Sequence, residues 1–303
     1  MRRVVLLSAL VAAVALAGCG AEEQAAGGPV KQLPRSDRLV DFSLKPPFVH
    51  GLSIDPRDGS FLLTTNRGFW RIAKDGKVVE RIRGRITAGR RSSAVGTFLE
   101  VAIEAPGRLV GSGHPDERGK LPNFLGLIRS DDDGRTWSSV SRMGDADLHK
   151  IVLRHDRLYA FDAVLSAMLV SEDGGRTFSE EFTPRGLLID FDVDPEAPDR
   201  IVGSTENELF RTENRGRTWR PLQAAEGIRL AWPAADALYR ADIDGVVQVS
   251  SNAGATWSER GRVGGEPYKI EAVDREHLFM ALSDGTILET TDGARTWDVV
   301  FRP

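Results

Sequence analysis

The sequence contains little cysteine, little tyrosine and no run of basic residues. One of its 303 residues is cysteine, Cys19, so the chain cannot form an internal disulfide. Tyrosine occurs three times, which restricts chemistry that needs a phenol to three positions. Lysine and arginine number 40 against 44 aspartate and glutamate, a formal charge of −4. Without a basic run, this mild acidity provides no electrostatic basis for nucleic-acid binding, so no nucleic-acid partner is predicted.

One short pattern, by contrast, is repeated five times. It reads Ser/Thr-x-Asp/Asn-x-Gly-x-Thr-Trp/Phe, and its closing aromatic residues stand at positions 137, 178, 219, 257 and 297. A repeat of about 40 residues is typical of a four-stranded propeller blade. The five copies are Ser130–Trp137, Ser171–Phe178, Thr212–Trp219, Ser250–Trp257 and Thr290–Trp297.

The residue types of the pattern suit a tight turn. Aspartate or asparagine at the third position accepts hydrogen bonds from its own turn, glycine at the fifth allows a left-handed backbone, and the aromatic ring packs inward. We expect looser turns, but no loss of blades, where Asn214 and Asn252 replace aspartate and Ala294 replaces glycine. The predicted structural residues are Asp132, Gly134, Trp137, Asp173, Gly175, Phe178, Asn214, Gly216, Trp219, Asn252, Gly254, Trp257, Asp292 and Trp297.

The octapeptide resembles the Asp-box, or bacterial neuraminidase repeat, of sialidases and related propellers. The resemblance implies an all-β, six-bladed β-propeller of four-stranded antiparallel blades, in which the boxes lie away from the active site and serve structure. Strand patterns before the boxes also fit six blades, the first at about 48 to 84 and the second at about 97 to 142. Residues 39 to 45 are expected to add an outer strand or close the ring.

The N-terminus has the features of an export signal. Two arginines precede an apolar run from Val4 to Ala17 that is too short for a comfortable membrane span. The run ends in Leu-Ala-Gly-Cys, which resembles the lipobox of bacterial lipoproteins and implies lipidation of Cys19. An ordinary signal peptide with a chance cysteine is the alternative. We expect residues 1–18 to be removed, residues 19–38 to form the lipidated tether, and residues 39–303 to form the propeller.

Strand direction assigns the loops of such a propeller to two faces. The first strand of each blade starts at one face, here called the mouth face, and the octapeptide turns lie on the opposite one, the floor face. One innermost position per blade carries Gly51, Glu100, Lys150, Asp190, Arg229 or Lys269. We expect the charged ones to line and pair across a central channel; a solvated ring of ion pairs that plugs the axis is the alternative.

The mouth face also collects histidines. His50 and His149 start first strands, and His114 lies in a segment, Gly111 to Phe124, that is longer than its counterparts. Together with Asp116 they would suit a divalent metal such as zinc, and His50, His114 and His149 are the predicted ligands; separate hydrogen-bonding histidines are the alternative. The predicted ligand-binding residues are His50, Glu100, His114, Asp116, His149, Lys150, Asp190, Arg229 and Tyr268.

A sialidase catalytic set is not recognisable. The family's Arg-Ile-Pro motif has its nearest match at Arg71, where the proline is missing and the position falls on a later strand. Tyr159 and Tyr239 occupy core positions of the repeat, which leaves Tyr268 at the mouth. Whether the protein is an enzyme therefore stays open, with Glu100, Asp190 and Tyr268 as catalytic candidates.

Three functional hypotheses follow from these features. The His50–Leu52 strand, the Gly111–Pro115 segment and the lipobox look like a bacterial lipoprotein group usually labelled glycosyl hydrolase or exo-sialidase-like. The leading hypothesis is a monomer, anchored to the membrane of the bacterial cell envelope, that binds a glycan or envelope component at the mouth of blades one to three. The alternatives are a glycoside hydrolase using a pair such as Glu100 and Asp190, and a scaffold that binds a protein, as in photosystem II assembly factor propellers.

Overall fold

The protein is an all-β propeller. In the computed structural model, residues 48–116, 120–224 and 229–303 are described. The predicted signal peptide, the lipidation site Cys19, the tether and the strand at 39 to 45 lie outside the described residues.

The first blade and the sheet that follows it differ in construction. The first blade is a four-stranded antiparallel sheet, and the second sheet has five strands that close on themselves. The first blade contains β1 (Val49–Ile54), β2 (Phe61–Thr65), β3 (Gly68–Ile72) and β4 (Val79–Ile82). The closed sheet contains β5 (Arg85–Ala88), β6 (Arg91–Ala105), β7 (Arg108–Pro115), β8 (Leu127–Ser130) and β9 (Thr136–Ser141).

The other four sheets are four-stranded antiparallel blades with strands in chain order. Two of them contain β10 (Leu148–Arg154), β11 (Arg157–Asp162), β12 (Ala167–Ser171), β13 (Ser179–Phe182), β14 (Leu188–Val193), β15 (Ile201–Thr205), β16 (Glu208–Thr212) and β17 (Arg220–Ala224). The last two contain β18 (Arg229–Ala234), β19 (Ala237–Ala241), β20 (Val246–Ser250), β21 (Ser258–Arg262), β22 (Pro267–Ala272), β23 (Leu278–Leu282), β24 (Ile287–Thr290) and β25 (Asp298–Phe301).

The predicted number of six four-stranded blades is therefore wrong. Five such blades are present in the described residues, and the segment predicted as the second blade belongs to the closed sheet. The physical reason is the long strand β6, whose first part pairs with β5 and whose remainder pairs with β7. Strand β5 also pairs in parallel with β9, so the two edges of this sheet join each other.

The innermost strands form a ring around the axis. They contact one another in the order β1, β6, β10, β14, β18 and β22, and β22 contacts β1. Apolar clusters fill the spaces between neighbouring sheets, and one of them joins the two ends of the chain through Phe61 of β2 and Phe279 of β23, whose ring centroids are 5.1 Å apart. Burial of such aromatic side chains stabilises the closure.

The five octapeptides form one kind of turn, between the last two strands of their sheets. In the first copy, Asp132 accepts the Thr136 amide at 2.8 Å and the Thr136 hydroxyl at 2.6 Å, while the Gly134 amide donates to Ser130 at 2.9 Å. Asn214 accepts the corresponding amide at 2.9 Å and donates to the threonine hydroxyl at 2.9 Å, and Asn252 does the same. Asparagine therefore keeps both contacts, and the expected loosening is not seen in these hydrogen bonds.

Candidate functional site

Four charged side chains of the innermost strands cross the axis and form what we call the axial belt: Glu100, Lys150, Asp190 and Lys269. Lys150 and Asp190, on neighbouring strands, form an ion pair at 2.9 Å with side chains 12% and 4% exposed. Lys269 donates to Glu100, and both side chains are buried. Four of the five charged residues of the predicted row are therefore paired, because charges this deeply buried require partners.

Gly51 leaves room for the ion pair between Glu100 and Lys269. Glu100 lies on β6 and Lys269 on β22, with β1 between them in the ring. A Cβ atom added to Gly51 would lie 2.5 Å from a carboxylate oxygen of Glu100 and 2.7 Å from the Thr64 hydroxyl. The absence of a side chain at the one uncharged position of the row therefore leaves the space that the Glu100 carboxylate occupies.

Two aspartates link neighbouring innermost strands that are not paired in one sheet. Asp190 on β14 accepts the backbone N–H of Leu230 on β18 at 3.0 Å, and Asp192 accepts that of Trp232 at 2.7 Å. Burial would raise the pKa of Asp190, but Lys150 and Lys269 outweigh it and hold that pKa below its usual value. Asp190 is therefore a structural carboxylate, ionised and fully engaged.

A cavity of about 350 Å³ opens above the belt at the mouth face. The starts of five innermost strands supply its walls together with Leu99 of β6, and four of these strands have a register shift near their start. The cavity is large enough for a small ligand. Its polar and aromatic lining consists of His50, His149, Lys150, Asp190, Arg229, Tyr268 and Lys269, with Leu99, Phe161, Leu187 and Ile189 among the apolar residues.

Arg229 is the one cation of this cavity that forms no ion pair with the described residues. Its guanidinium carbon lies 4.7 Å from the centre of the Tyr268 ring, a cation–π arrangement. Its buried Nε has no hydrogen-bond partner there, and a terminal nitrogen reaches only the Ile189 carbonyl at 3.5 Å. Lys150 and Lys269, by contrast, both hold a carboxylate.

Three histidines meet near the cavity around an aspartate that sequence reasoning missed. Asp147 lies 3.2 Å from the His149 Nε2 through one oxygen and 3.6 Å from the His114 Nε2 through the other. His114 also contacts the Asn123 carbonyl at 2.8 Å through Nδ1. Asp147 directly precedes β10. The residues directly before β1, β14 and β22 are Phe48, Leu187 and Glu266, so alignment of the blades shows no common residue type at this position.

His50 is the most perturbed of these histidines. Burial, followed by the nearby His149 and His114, lowers its pKa to about 4. His50 therefore stays neutral at physiological pH, which suits a hydrogen-bonding role. Its ring also makes an edge contact with Phe48, at 5.2 Å between ring centroids.

The structure separates the predicted site residues into three groups. His50, His149, Lys150, Asp190, Arg229 and Tyr268 line the mouth cavity, whereas the belt residue Glu100 lines the cavity on the opposite side of the belt. His114 and Asp116 are outside the lining; the first five residues of the expected loop, including His114, belong to strand β7. Among the described residues, no group of three or more His, Cys, Asp or Glu side chains is arranged to hold a metal ion. The predicted ligands His50, His114 and His149 are thus not assembled as a metal site.

The catalytic candidates are constrained by their partners. Burial raises the pKa of Glu100, while Lys269 and Lys150 oppose this. Burial also raises the pKa of Tyr268, although Arg229 opposes it. A tyrosine nucleophile is activated by a lowered pKa or by an adjacent general base, and the pKa of Tyr268 is shifted in the direction opposite to the first of these. Within the described part of the chain there is also no helix of the length and apolarity needed to cross a membrane.

Comparison with known proteins supports the fold. No family model matches the chain. The dispase autolysis-inducing protein of Streptomyces mobaraensis is 25% identical over 137 residues, 45% of this chain, and the match spans 33% of the length of that relative.

Three solved structures are similar over most of the chain. A putative gluconolactonase is 15% identical with a TM-score of 0.60, covering 82% of this chain and 90% of its own. An auxiliary nutrient binding protein from Bacteroides thetaiotaomicron is 11% identical with a TM-score of 0.56, covering 80% and 68%. The structure of YCF48 bound to D1 peptide is 14% identical with a TM-score of 0.55, covering 82% and 94%.

These likenesses show a β-propeller. At such identities they show the fold alone, and they do not confirm the six-bladed, sialidase-like assignment.

Proposed function

We propose that this protein is an exported, lipid-anchored propeller that binds a glycan or another cell-envelope component in the mouth cavity, with an acidic group of the ligand at Arg229. Export and lipidation rest on the N-terminal sequence, with its lipobox-like ending at Cys19. The observation that carries the binding proposal is the guanidinium of Arg229, which lies at the cavity without a carboxylate partner in the described residues.

An acidic ligand would complete the hydrogen bonding of Arg229. A guanidinium presents its N–H donors in a planar fork that matches a carboxylate, and such bidentate pairs are stronger than neutral hydrogen bonds. Tyr268 holds the guanidinium plane from one side. The mouth cavity can thus recognise one charged group and still offer His50 and His149 as further polar contacts.

The aromatic rim supports a carbohydrate as the ligand body. The ring of Phe48 is 47% exposed and packs edge-on against Tyr268 at 4.6 Å between centroids. Binding sites for small molecules combine such aromatic surfaces with a few convergent polar groups. A sugar ring seated beside Phe48 would place its acidic substituent toward Arg229.

The geometry favours binding over glycoside hydrolysis. Hydrolysis needs one carboxylic acid to protonate the leaving oxygen and a second carboxylate facing the same substrate. Glu100 is held by Lys269 and is not part of the mouth lining, while Asp190 is held by Lys150 and two backbone amides. Neither group is free to serve a substrate in the mouth cavity.

A second candidate function, a scaffold for a protein partner, is favoured by exposed apolar side chains of the mouth face. Large exposed apolar side chains concentrate on the mouth face by strand direction, and only Val78 and Val273 of those in the described residues lie at the floor face. Contiguous exposed apolar patches mark protein-binding surfaces. The mouth-face residues are Phe48, Val164, Leu165, Phe182, Leu187 and Ile243.

A matched pair of disaccharides tests the main proposal. Titration calorimetry of the purified full-length protein compares cellobiuronic acid with neutral cellobiose, which differ in one carboxylate. We expect the acid to bind more tightly and Arg229→Gln to lower its affinity by about 10- to 100-fold, the loss of one charge-assisted pair. Arg81→Gln is the control, because Arg81 also lies over an aromatic ring, Trp70, at 5.5 Å but does not line the mouth cavity.

Two results would contradict the binding proposal: equal affinities for both disaccharides, or an unchanged affinity in Arg229→Gln. The scaffold candidate has a separate test. Crosslinking on intact cells should recover one dominant protein partner, and Leu165→Ser, at an exposed residue that does not line the mouth cavity, should reduce its recovery without changing disaccharide binding. Recovery that is unaffected by this rim substitution would rule out the mouth face as the scaffold surface.

A further inference from the structure

Four exposed arginines lie close together in the chain at the start of the closed sheet, and we call them the arginine edge. Arg83 precedes β5, Arg85 begins it, Arg90 lies in the turn that follows it, and Arg91 begins β6. From position 81 to position 99 the sequence contains five arginines and neither aspartate nor glutamate. The proposed function does not use this part of the molecule.

The fold brings these arginines to the surface by alternation. Ile82 and Ile86 are buried in the apolar cluster between the first blade and the closed sheet. Arg83 and Arg85 alternate with buried residues and are exposed, as expected for an extended chain. A Cβ added to Gly89, in the hairpin turn, would meet no atom within 4 Å, so the turn is open to solvent. Because buried residues separate the arginines, the sequence shows no long basic run, and the surface that they form becomes visible in the structure.

The arginine edge is not neutralised by the rest of the described chain. None of its four side chains forms an ion pair or a hydrogen bond there. Glu80, the nearest acidic residue in sequence, lies 3.6 Å from Arg135 instead. Arg81 is not counted in the edge, because its guanidinium lies over the Trp70 ring. Four other arginines that are more than half exposed each lie within 3.0 Å of a carboxylate oxygen: Arg108, Arg185, Arg220 and Arg275.

The composition of this surface favours an acidic carbohydrate as the ligand. Every exposed residue from position 81 to position 99 is an arginine, except Thr87 and Gly89. Surfaces that bind a bilayer or a protein combine charge with exposed apolar side chains, and single-stranded nucleic acids stack on aromatic ones. The arginine edge offers neither. Its guanidinium groups match carboxylates as bidentate partners, and several of them in a row suit a chain that repeats this group.

Strand β6 connects the arginine edge to the mouth cavity. The strand begins at Arg91, and its residue Leu99 lines the mouth cavity. Eight residues of extended chain span at most about 29 Å, and Arg83 and Arg85 are at most about 7 Å apart along the backbone. The two surfaces are therefore within reach of one oligosaccharide of several units.

We infer that the arginine edge binds an acidic polysaccharide, a chain with a carboxylate on each sugar, and holds several of these carboxylates at once. The inference rests on the proposed function for its choice of an acidic glycan. The mouth cavity takes one unit at Arg229, and the arginine edge takes further units of a longer chain. Once one unit is bound, each further contact is intramolecular, so affinity rises with chain length.

Oligomers of β-1,4-linked glucuronic acid test this inference. Titration calorimetry of the purified full-length protein compares an oligomer of two units with one of ten. We expect the longer oligomer to bind about 10- to 100-fold more tightly. Its methyl ester, which carries no charge, should show no such gain. The gain should also shrink as the salt concentration rises, because salt screens exposed charges.

The decisive variant combines Arg83→Gln, Arg85→Gln, Arg90→Gln and Arg91→Gln. It should bind the ten-unit oligomer no more tightly than the two-unit one. Its affinity for the two-unit oligomer should equal that of the wild type, which shows that the variant is folded and its mouth cavity intact. The control removes the same charge from arginines that already hold a carboxylate, and it should keep the gain: Arg108→Gln, Arg185→Gln, Arg220→Gln and Arg275→Gln combined.

The same titrations separate this inference from the mouth proposal. If Arg229→Gln leaves both affinities unchanged while the variant of the arginine edge loses the gain, the mouth proposal fails and this inference stands. A gain that is absent in the wild type, or that survives in the variant of the arginine edge, would overturn the inference. So would a larger loss of binding to phosphatidylglycerol vesicles, or to a ten-nucleotide oligothymidylate, than to the ten-unit oligomer, because the edge would then serve a bilayer or a nucleic acid.

Discussion

At the scale of single residues, charge pairing around the axis explains most of the candidate site. The strand period of two placed Glu100, Lys150 and Lys269 in one row, and a row of opposite charges predicted pairing. Continuing the same period by one step would have found Asp192 and Glu271, which follow their row members by two residues. The choice of carboxylate partner for each cation depends on packing between strands that are distant in sequence. Residue spacing within one repeat therefore does not predict the pairs.

Titration of His50 is a prediction at this scale. NMR should find its imidazole midpoint near pH 4, because burial and two neighbouring histidines disfavour the charged form. His149→Gln should raise the midpoint by removing one of these neighbours. His155→Gln, on the floor side, is the control and should leave it unchanged. A wild-type midpoint close to the ordinary value of 6.5 would contradict the burial of His50 at the mouth.

The same shift has a consequence for stability. The folded-state pKa of His50 lies below the unfolded value, so the unfolded chain binds the proton first as pH falls. The contribution of His50 to the free energy of unfolding is therefore present above pH 6.5 and is lost as pH falls toward 4. Urea unfolding of His50→Gln should show a smaller loss of stability across this window than the wild type.

At the scale of elements, the octapeptide turns were predictable and the closed sheet was not. The turn is local. Every hydrogen bond of Asp132 that defines it is to a residue within four positions, so the octapeptide includes all the partners that the turn needs. The closed sheet depends on β5 meeting β9 across the chain. It also depends on close approach at Gly113, where a Cβ would lie 2.1 Å from the Thr97 carbonyl oxygen. Such non-local pairings leave no periodic signal.

Gly175→Ala is the prediction at this scale. The glycine has a φ of 85°, and an added Cβ would lie 2.0 Å from a methyl carbon of Leu127 in the preceding sheet. We expect chemical denaturation to show a loss of about 2–4 kcal/mol, combining left-handed backbone strain with overpacking. Ala294, at the same position of the fifth turn, shows that the left-handed conformation, φ 70°, is tolerated where the surroundings accommodate a methyl group.

Gly89→Ala is the matched control for this substitution. Gly89 has a φ of 59°, but a Cβ there would meet no atom within 4 Å. It should therefore lose only about 1 kcal/mol, the cost of the backbone conformation alone. If the two variants lost equal free energy of unfolding, the contact between sheets through the octapeptide turn would not contribute to stability.

At the scale of the whole molecule, a closed ring of innermost strands places two cavities on one axis with a charged belt between them. The sequence predicted the repeat, the mouth face and most of the polar residues that line the mouth cavity. It did not predict the number of four-stranded blades, because one repeat merged into the closed sheet. It also predicted Glu100 for the mouth, whereas Glu100 lines the cavity on the opposite side of the belt. The position of a side chain along the axis depends on the register shifts of its strand, and the sequence repeat gives no sign of these shifts.

The central claim is that the ligand enters the mouth cavity and contacts Arg229. Amide hydrogen exchange of the full-length protein with and without cellobiuronic acid tests it most directly. Slower exchange is predicted at the starts of β14 and β22, where Leu188 and Tyr268 line the cavity, with no change at the octapeptide turns of the floor face. Protection confined to those turns or to the outer strands, with the mouth unchanged, would contradict the account.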